Sequence, residues 1–200
     1  VSDYLCDFME RNREGPFLAY YPMILPHWPF QPTPDSKDWN PTETKEWSRN
    51  KWNKPHFQDM VAYVDKMVKK VVGKLDALGI REDTLVIFTC DNGTYAGITS
   101  RMMDGTIIKG GKGTMPDAGN RVPFIVNWPG TIKSGQVKQD VIDFSDILPT
   151  LCEAAKAHIP ANHKIDGRSF YPLLTESKYT PREWMYMWYS RNGGAKGQEF

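Results

Sequence analysis

The sequence predicts an α/β fold in which a mixed, largely parallel sheet is flanked by helices. Two near-continuous apolar runs, at residues 84–90 and 122–128, are typical of strands that a parallel sheet buries on both faces. Amphipathic helical patterns alternate with these runs, most clearly over residues 61–78. Since 200 residues with 40% hydrophobic content can bury one sizeable core, a single domain is expected over residues 1–200.

Local signals bound each predicted element. A helix over residues 3–12 ends before Gly15-Pro16, and a short aromatic strand over residues 17–21 ends at Pro22. Gly79 closes the helix over residues 61–78, and a later helix is predicted over residues 146–157. The lysines of the first long helix favour a solvated face over a phosphate site; they are Lys66, Lys69, Lys70 and Lys74.

Charge and cysteine content argue against several kinds of partner and site. Lys plus Arg (25) nearly balances Asp plus Glu (24), so no long-range field favours nucleic acid or an anionic membrane. No apolar run has the length of a membrane span, and the first residues lack a signal-peptide pattern. Cys6, Cys90 and Cys152 lie far apart in apolar or helical contexts, which indicates buried thiols rather than a zinc site.

The tripeptide Asp91-Asn92-Gly93 follows the first apolar strand directly. Ligands of open α/β sheets gather beyond the carboxyl ends of strands. The side-chain oxygens of Asp91 and Asn92 suit a hard cation, calcium or magnesium. The same three residues are also a common turn sequence, and on their own they leave both interpretations open.

A glycine-rich stretch, GGKGT at residues 110–114, is the second loop of interest. It fails the P-loop pattern, because Thr106 stands where the first glycine belongs and Gly113 replaces the hydroxyl residue after the lysine. Lys112 on this permissive backbone either approaches an anion closely or belongs to an ordinary surface loop.

Several blocks of sequence, taken together, resemble sulfatases of the arylsulfatase type in the alkaline-phosphatase superfamily. The blocks are PFLAYYPMILPHWPF (16–30), LVIFTCDNGT (85–94), GGKGT (110–114), RVPFIVNWPG (121–130), DFSDILPTLCEAA (143–155) and DGRSFYPLL (166–174). They stand in the family's order. The resemblance implies part of an alkaline-phosphatase-like sheet flanked by helices, sulfuric ester hydrolysis, and a periplasmic or secreted location.

The resemblance also implies roles for four residues. Asp91 and Asn92 match ligands of the family's active-site calcium, for which magnesium is the less favoured alternative. His27 matches the histidine that binds the sulfate ester and protonates the departing alcohol, and Lys112 matches the lysine that neutralises sulfate oxygens. The alternative for His27 is a structural histidine in an aromatic loop.

The family's nucleophile has no match in these 200 residues. Sulfatases use a formylglycine made within a Cys/Ser-x-Pro-x-Arg motif, and no cysteine or serine here is followed by that pattern. We therefore expect a truncated catalytic-domain fragment, with residues 180–200 at the start of the family's small C-terminal sheet. Such a fragment should be inactive alone, and its uncovered sheet edges make an oligomer possible.

Two other classes of function remain open at this point. A phosphodiesterase or phosphonate hydrolase of the same superfamily would share the anion pocket. A non-catalytic, sulfatase-like protein would instead bind sugars through the long connection at residues 22–55, by stacking on Trp39, Trp47 and Trp52. If these tryptophans line the substrate mouth of an enzyme, a sulfated carbohydrate is the expected substrate.

Overall fold

Two packed helices form the first layer of the computed structural model, which describes residues 1–42 and 54–188. α1 (Ser2–Asn12) packs on α2 (Lys54–Ala77) around Cys6, Met9 and Leu75, all of them buried. The apolar stripe of α2 supplies its side of this core, as its helical spacing predicts. Both helices are confirmed, and α2 begins earlier than the sequence pattern indicates.

The lysines of α2 are paired with carboxylates rather than simply solvated. These ion pairs connect α2 to α1 and to the connection before α2, so the lysine charges are already matched within the protein. The pairs are Lys66–Asp35 (2.7 Å), Lys74–Glu10 (2.7 Å) and Lys70–Asp3.

α2 ends as its sequence predicts. Gly79 has a φ of 68°, and its N–H donates to the Asp76 carbonyl at 3.0 Å while the Ile80 N–H donates to the Leu75 carbonyl at 3.2 Å. This pair of bonds is the Schellman closure, which needs a left-handed residue at Gly79. Neither α2 nor any other helix in the described ranges is long and apolar enough to cross a membrane.

Strand pairing differs from the expected parallel arrangement. β1 (Val86–Thr89) pairs antiparallel with a later strand, Phe124–Asn127, and β2 (Thr99–Arg101) forms an antiparallel hairpin with β3 (Ile107–Lys109). The later strand is β4, because a helical turn, α3 (Asp117–Asn120), precedes it. β4 alternates half-buried and exposed residues, as a strand with one covered face does, so the two-sided burial expected at residues 122–128 is wrong. No parallel pair occurs within the described residues, and the largely parallel sheet stays a prediction.

The strand expected at residues 17–21 is not formed. Leu18 and Tyr20 are exposed, and Phe17 packs edge-on against Phe8 with ring centroids 5.9 Å apart. A strand needs a neighbour for its backbone N–H and C=O groups, and none of the residues that the structure describes pairs with this segment.

The C-terminal part is organised by one buried carboxylate. Asp146, in a 3₁₀ turn before α4 (Ile147–Ala154), accepts from the Arg182 guanidinium at 2.5 Å and from the backbone N–H groups of Arg168 (2.7 Å) and Asp143 (2.9 Å). These bonds hold residues 167–182, including α5 (Tyr171–Leu174), against α4. The helix predicted at residues 146–157 is thus confirmed, with an earlier end.

Candidate active site

The site begins where β1 ends. Asp91 is exposed and Asn92 is half-buried, two and three residues beyond the last residue of the strand. Cys90, beside them, is half-buried, and this burial, together with the charge of Asp91, raises the pKa of its thiol. A protonated thiol is a poor nucleophile, so the oxygen atoms of Asp91 and Asn92 are the reactive feature of this loop.

Glycines hold the Lys112 loop against the loop of Asp91 and Asn92. The Gly93 N–H donates to the Gly119 carbonyl at 2.8 Å, and the Lys112 N–H donates to the Thr94 carbonyl at 3.0 Å. A Cβ at Gly93 would lie 2.0 Å from the Ala118 carbonyl oxygen, so only glycine permits this approach. The two loops are therefore neighbours joined through their backbones, which places Lys112 beside the segment that carries Asn92.

His27 is exposed on a loop that fixes its ring. Its N–H donates to the Ile24 carbonyl at 2.9 Å, and its Nδ1 lies 2.5 Å from the Trp28 carbonyl oxygen. A carbonyl can only accept, so Nδ1 carries a proton and the other ring nitrogen, Nε2, exchanges protons with a ligand. Nε2 has no hydrogen-bond partner within residues 1–42 and 54–188.

A second core brings the His27 loop to the other two loops. Phe30, three residues after His27, is 4% exposed and packs with Met60 and Ile98. Its ring centroid also lies 6.2 Å from that of Tyr95, which follows the loop of Asp91 and Asn92. Packing of these neighbours brings the three segments together, although no hydrogen bond or ion pair joins the four predicted side chains themselves in the described part of the chain.

Asp91 and Asn92 fit a hard cation by chemistry and fall short of a complete shell by number. They offer at most three side-chain oxygens, whereas calcium takes about six to eight oxygen ligands. No group of three or more His, Cys, Asp or Glu side chains in residues 1–42 and 54–188 is arranged to hold a metal ion. These two residues can thus supply part of a calcium site.

The sequence interpretation of His56 is wrong. This histidine was expected in a polar loop, yet it is 7% exposed in the first turn of α2. Its Nε2 lies 3.2 Å from Asp38 and its Nδ1 3.2 Å from Asp59, which also accepts from the Ser36 hydroxyl at 2.6 Å. The three-residue spacing of His56 and Asp59 is a helical contact and was the available signal.

Of the three tryptophans in the connection before α2, only Trp39 can be placed. It is 42% exposed, while Trp47 and Trp52 lie outside the described residues.

Comparison with known proteins agrees with the arrangement of these loops. The family model described as Sulfatase matches residues 1–157. The chain belongs to the sulfatase family. It is 31% identical over 179 residues to the steryl-sulfatase of Mus musculus, an alignment that covers 87% of this chain. It is 30% identical over 197 residues to the arylsulfatase A of Homo sapiens, which covers 98% of this chain.

The fold comparison also supports membership of the sulfatase family. A Bacteroides thetaiotaomicron sulfatase, solved in a study of glycosaminoglycan metabolism, superposes with a TM-score of 0.70 over 92% of this chain and 37% of its own, at 23% identity. That likeness shows the alkaline-phosphatase-like fold of sulfatases. The chain spans 27% of the mouse relative and 36% of the human one, so it corresponds to about a third of a curated sulfatase.

Proposed function

We propose that this chain supplies the calcium- and sulfate-binding half of the active site of a sulfuric ester hydrolase. Asp91 and Asn92 would be ligands of the calcium ion, and Lys112 and His27 would contact the sulfate ester. The observation that carries the proposal is the backbone junction of Gly93 with Gly119 and of Lys112 with Thr94, at the end of a strand. It joins oxygen ligands and a cation on neighbouring loops, as an anion site with a bound metal requires.

Each side chain has a distinct task in ester cleavage. The Lys112 ammonium neutralises sulfate oxygens as negative charge redistributes in the transition state. The His27 imidazolium donates the Nε2 proton to the bridging oxygen, which lets the alcohol depart neutral. Bound calcium would draw charge from the sulfate group. A formylglycine motif is absent from the 200 residues, so the nucleophile has to come from outside them, and we expect the chain alone to show no turnover.

We also propose that the β1–β4 pair belongs to a larger, mostly parallel sheet flanked by α1 and α2. Support comes from the likeness to a solved sulfatase over 92% of the chain. β1 carries half-buried residues along its whole length, whereas β4 alternates, which fits a central position for β1 and an outer one for β4.

The substrate class that we propose is a sulfate ester. A sulfated carbohydrate was expected if three tryptophans lined the substrate mouth, and Trp39 is the one of them that can be located. An aromatic face at that position can stack on a sugar or on an aromatic ring, so Trp39 alone does not distinguish the two.

The deciding experiment uses a longer sulfatase polypeptide that carries both this segment and a formylglycine motif. We expect Asp91→Ala to lower the rate of 4-nitrophenyl sulfate hydrolysis by about 100-fold or more, and added calcium to restore part of it. Asp83→Ala, an exposed aspartate before β1, is the matched control and should keep the native rate. Equal rates for the two variants, with and without a chelator, would refute the assignment of Asp91.

A further inference from the structure

His27 stands at the edge of a cleft that its catalytic role does not explain. The cleft has a volume of about 230 Å³ and lies between residues 24–39 and α2. Its wall consists mainly of apolar and aromatic side chains. They are Ile24, Leu25, Pro29, Pro32, Pro34, Trp39, Met60 and Tyr63, and we name the space the His27 cleft.

Polar groups in the His27 cleft are few. Besides His27 the wall includes Gln31 and Thr33, and Thr33 is only 4% exposed. The Thr33 hydroxyl is already engaged with the Ser36 hydroxyl at 3.3 Å and with the Asp35 N–H at 3.3 Å. The Gln31 amide is thus the main polar group, apart from the imidazole, that faces a ligand.

Ion pairs and hydrogen bonds hold the outer wall in place. Asp35 bonds the Lys66 ammonium at 2.7 Å, and the Ser36 hydroxyl donates to Asp59 at 2.6 Å. Asp38, next to Trp39, contacts the buried His56 at 3.2 Å. These three contacts anchor the segment on both sides of Asp35 to α2, so the wall that carries Trp39 is formed before any ligand binds.

We propose that the His27 cleft holds an apolar ring of the departing alcohol, so that the preferred substrate is an aryl or alicyclic sulfate ester rather than a sulfated sugar. This inference rests on the proposed role of His27 in protonating the alcohol. A dry cavity of about 150 Å³ accepts one benzene ring. The His27 cleft therefore accommodates one ring or two fused rings, with the bridging oxygen toward Nε2.

A sugar is a poorer fit to the same surface. Each of its hydroxyl groups loses water on binding and needs a new hydrogen-bond partner. A wall with one available amide leaves most of these hydroxyls unpaired, whereas an apolar ring needs only contact with Ile24, Tyr63 and the face of Trp39.

Binding of the alcohol can be measured without turnover. The 200-residue chain is titrated with 2-naphthol and, separately, with methyl α-D-glucopyranoside, and saturation-transfer NMR reports both affinities. We expect 2-naphthol to bind more tightly. Trp39→Ala and Ile24→Asp should each weaken 2-naphthol binding by about fivefold or more, through loss of a ring face and through a charge in the cleft. Circular dichroism verifies that each variant is folded.

Trp184→Ala is the matched control, because Trp184 is 73% exposed and does not line the cleft. It should bind 2-naphthol like the native chain. Tighter binding of the glucoside, or equal naphthol affinity in native chain, Trp39→Ala and Ile24→Asp, overturns the inference. Naphthol binding that depends on Trp39 supports it even where a longer sulfatase proves inactive, so the test is separate from that of the proposed function.

Discussion

At the scale of single residues, the two ring nitrogens of His27 have different tasks. The Trp28 carbonyl engages Nδ1 and thereby fixes both the ring orientation and the proton on that nitrogen. Nε2 faces outward on an exposed side chain. This division suits a proton donor, since the ring does not have to turn before it transfers its proton.

The proton donation predicts a dependence on the leaving group. In a longer sulfatase that carries this segment, His27→Ala should slow hydrolysis of an alkyl sulfate by about 100-fold or more. It should slow hydrolysis of 4-nitrophenyl sulfate much less, because nitrophenolate departs without a proton. Measured kcat values for both esters test this. His163→Ala, another exposed histidine, is the control, and the same loss with both esters in His27→Ala would contradict the role.

At the scale of elements, glycine is required where the two site loops meet and dispensable within α2. A Cβ at Gly119 would lie 2.1 Å from the Thr114 carbonyl oxygen and 2.6 Å from that of Gly111, whereas a Cβ at Gly73 would meet no atom within 4 Å. The same substitution should therefore have opposite effects at the two positions.

Thermal unfolding tests that contrast. Gly119→Ala should lower the free energy of unfolding by about 2 kcal/mol or more, since backbone has to shift to relieve the clash. Gly73→Ala should raise it by roughly 0.5–1 kcal/mol, because alanine restricts the unfolded chain and favours the helix. A stabilising Gly119→Ala would mean that the loops are not packed as closely as described.

The connection before α2 has its own pH dependence. Hydrogen bonds from Ser36 and His56 lower the pKa of Asp59 from its usual 3.8. A lowered pKa in the folded state gives stability that is present above about pH 4 and is lost as the pH falls through the folded value. Asp59→Asn should flatten the stability curve on that acid side, as measured by denaturant unfolding at a series of pH values. Asp83→Asn should leave the curve unchanged.

The elements show how far a single sequence could predict this structure. α2 and its closure at Gly79 were predictable, because both depend on local spacing and on one residue type. The β2–β3 hairpin was missed, since three-residue strands carry little periodic signal. Asp91, Asn92, Lys112 and His27 were found by family resemblance. Their proximity depends on the contacts of Gly93, Gly119 and Phe30, which are non-local and invisible to spacing rules.

At the scale of the whole molecule, apolar surface is concentrated on the β2–β3 hairpin. Met103 at its turn is fully exposed, and Ile107 on β3 is 62% exposed. Unpaired strand edges beside such side chains favour pairing with another chain. The net charge of +1 gives almost no repulsion to oppose it.

We therefore expect the 200-residue chain to self-associate through this hairpin. Sedimentation velocity over a range of concentrations should show species larger than 22.9 kDa. Ile107→Lys should shift the distribution toward the monomer, because a charge on a strand edge disfavours edge-to-edge pairing. Val137→Lys adds the same charge at a residue that is 82% exposed and far along the chain from the hairpin, so it separates a local effect from a change in net charge. A native chain that sediments as a monomer throughout would remove the hairpin as an association surface.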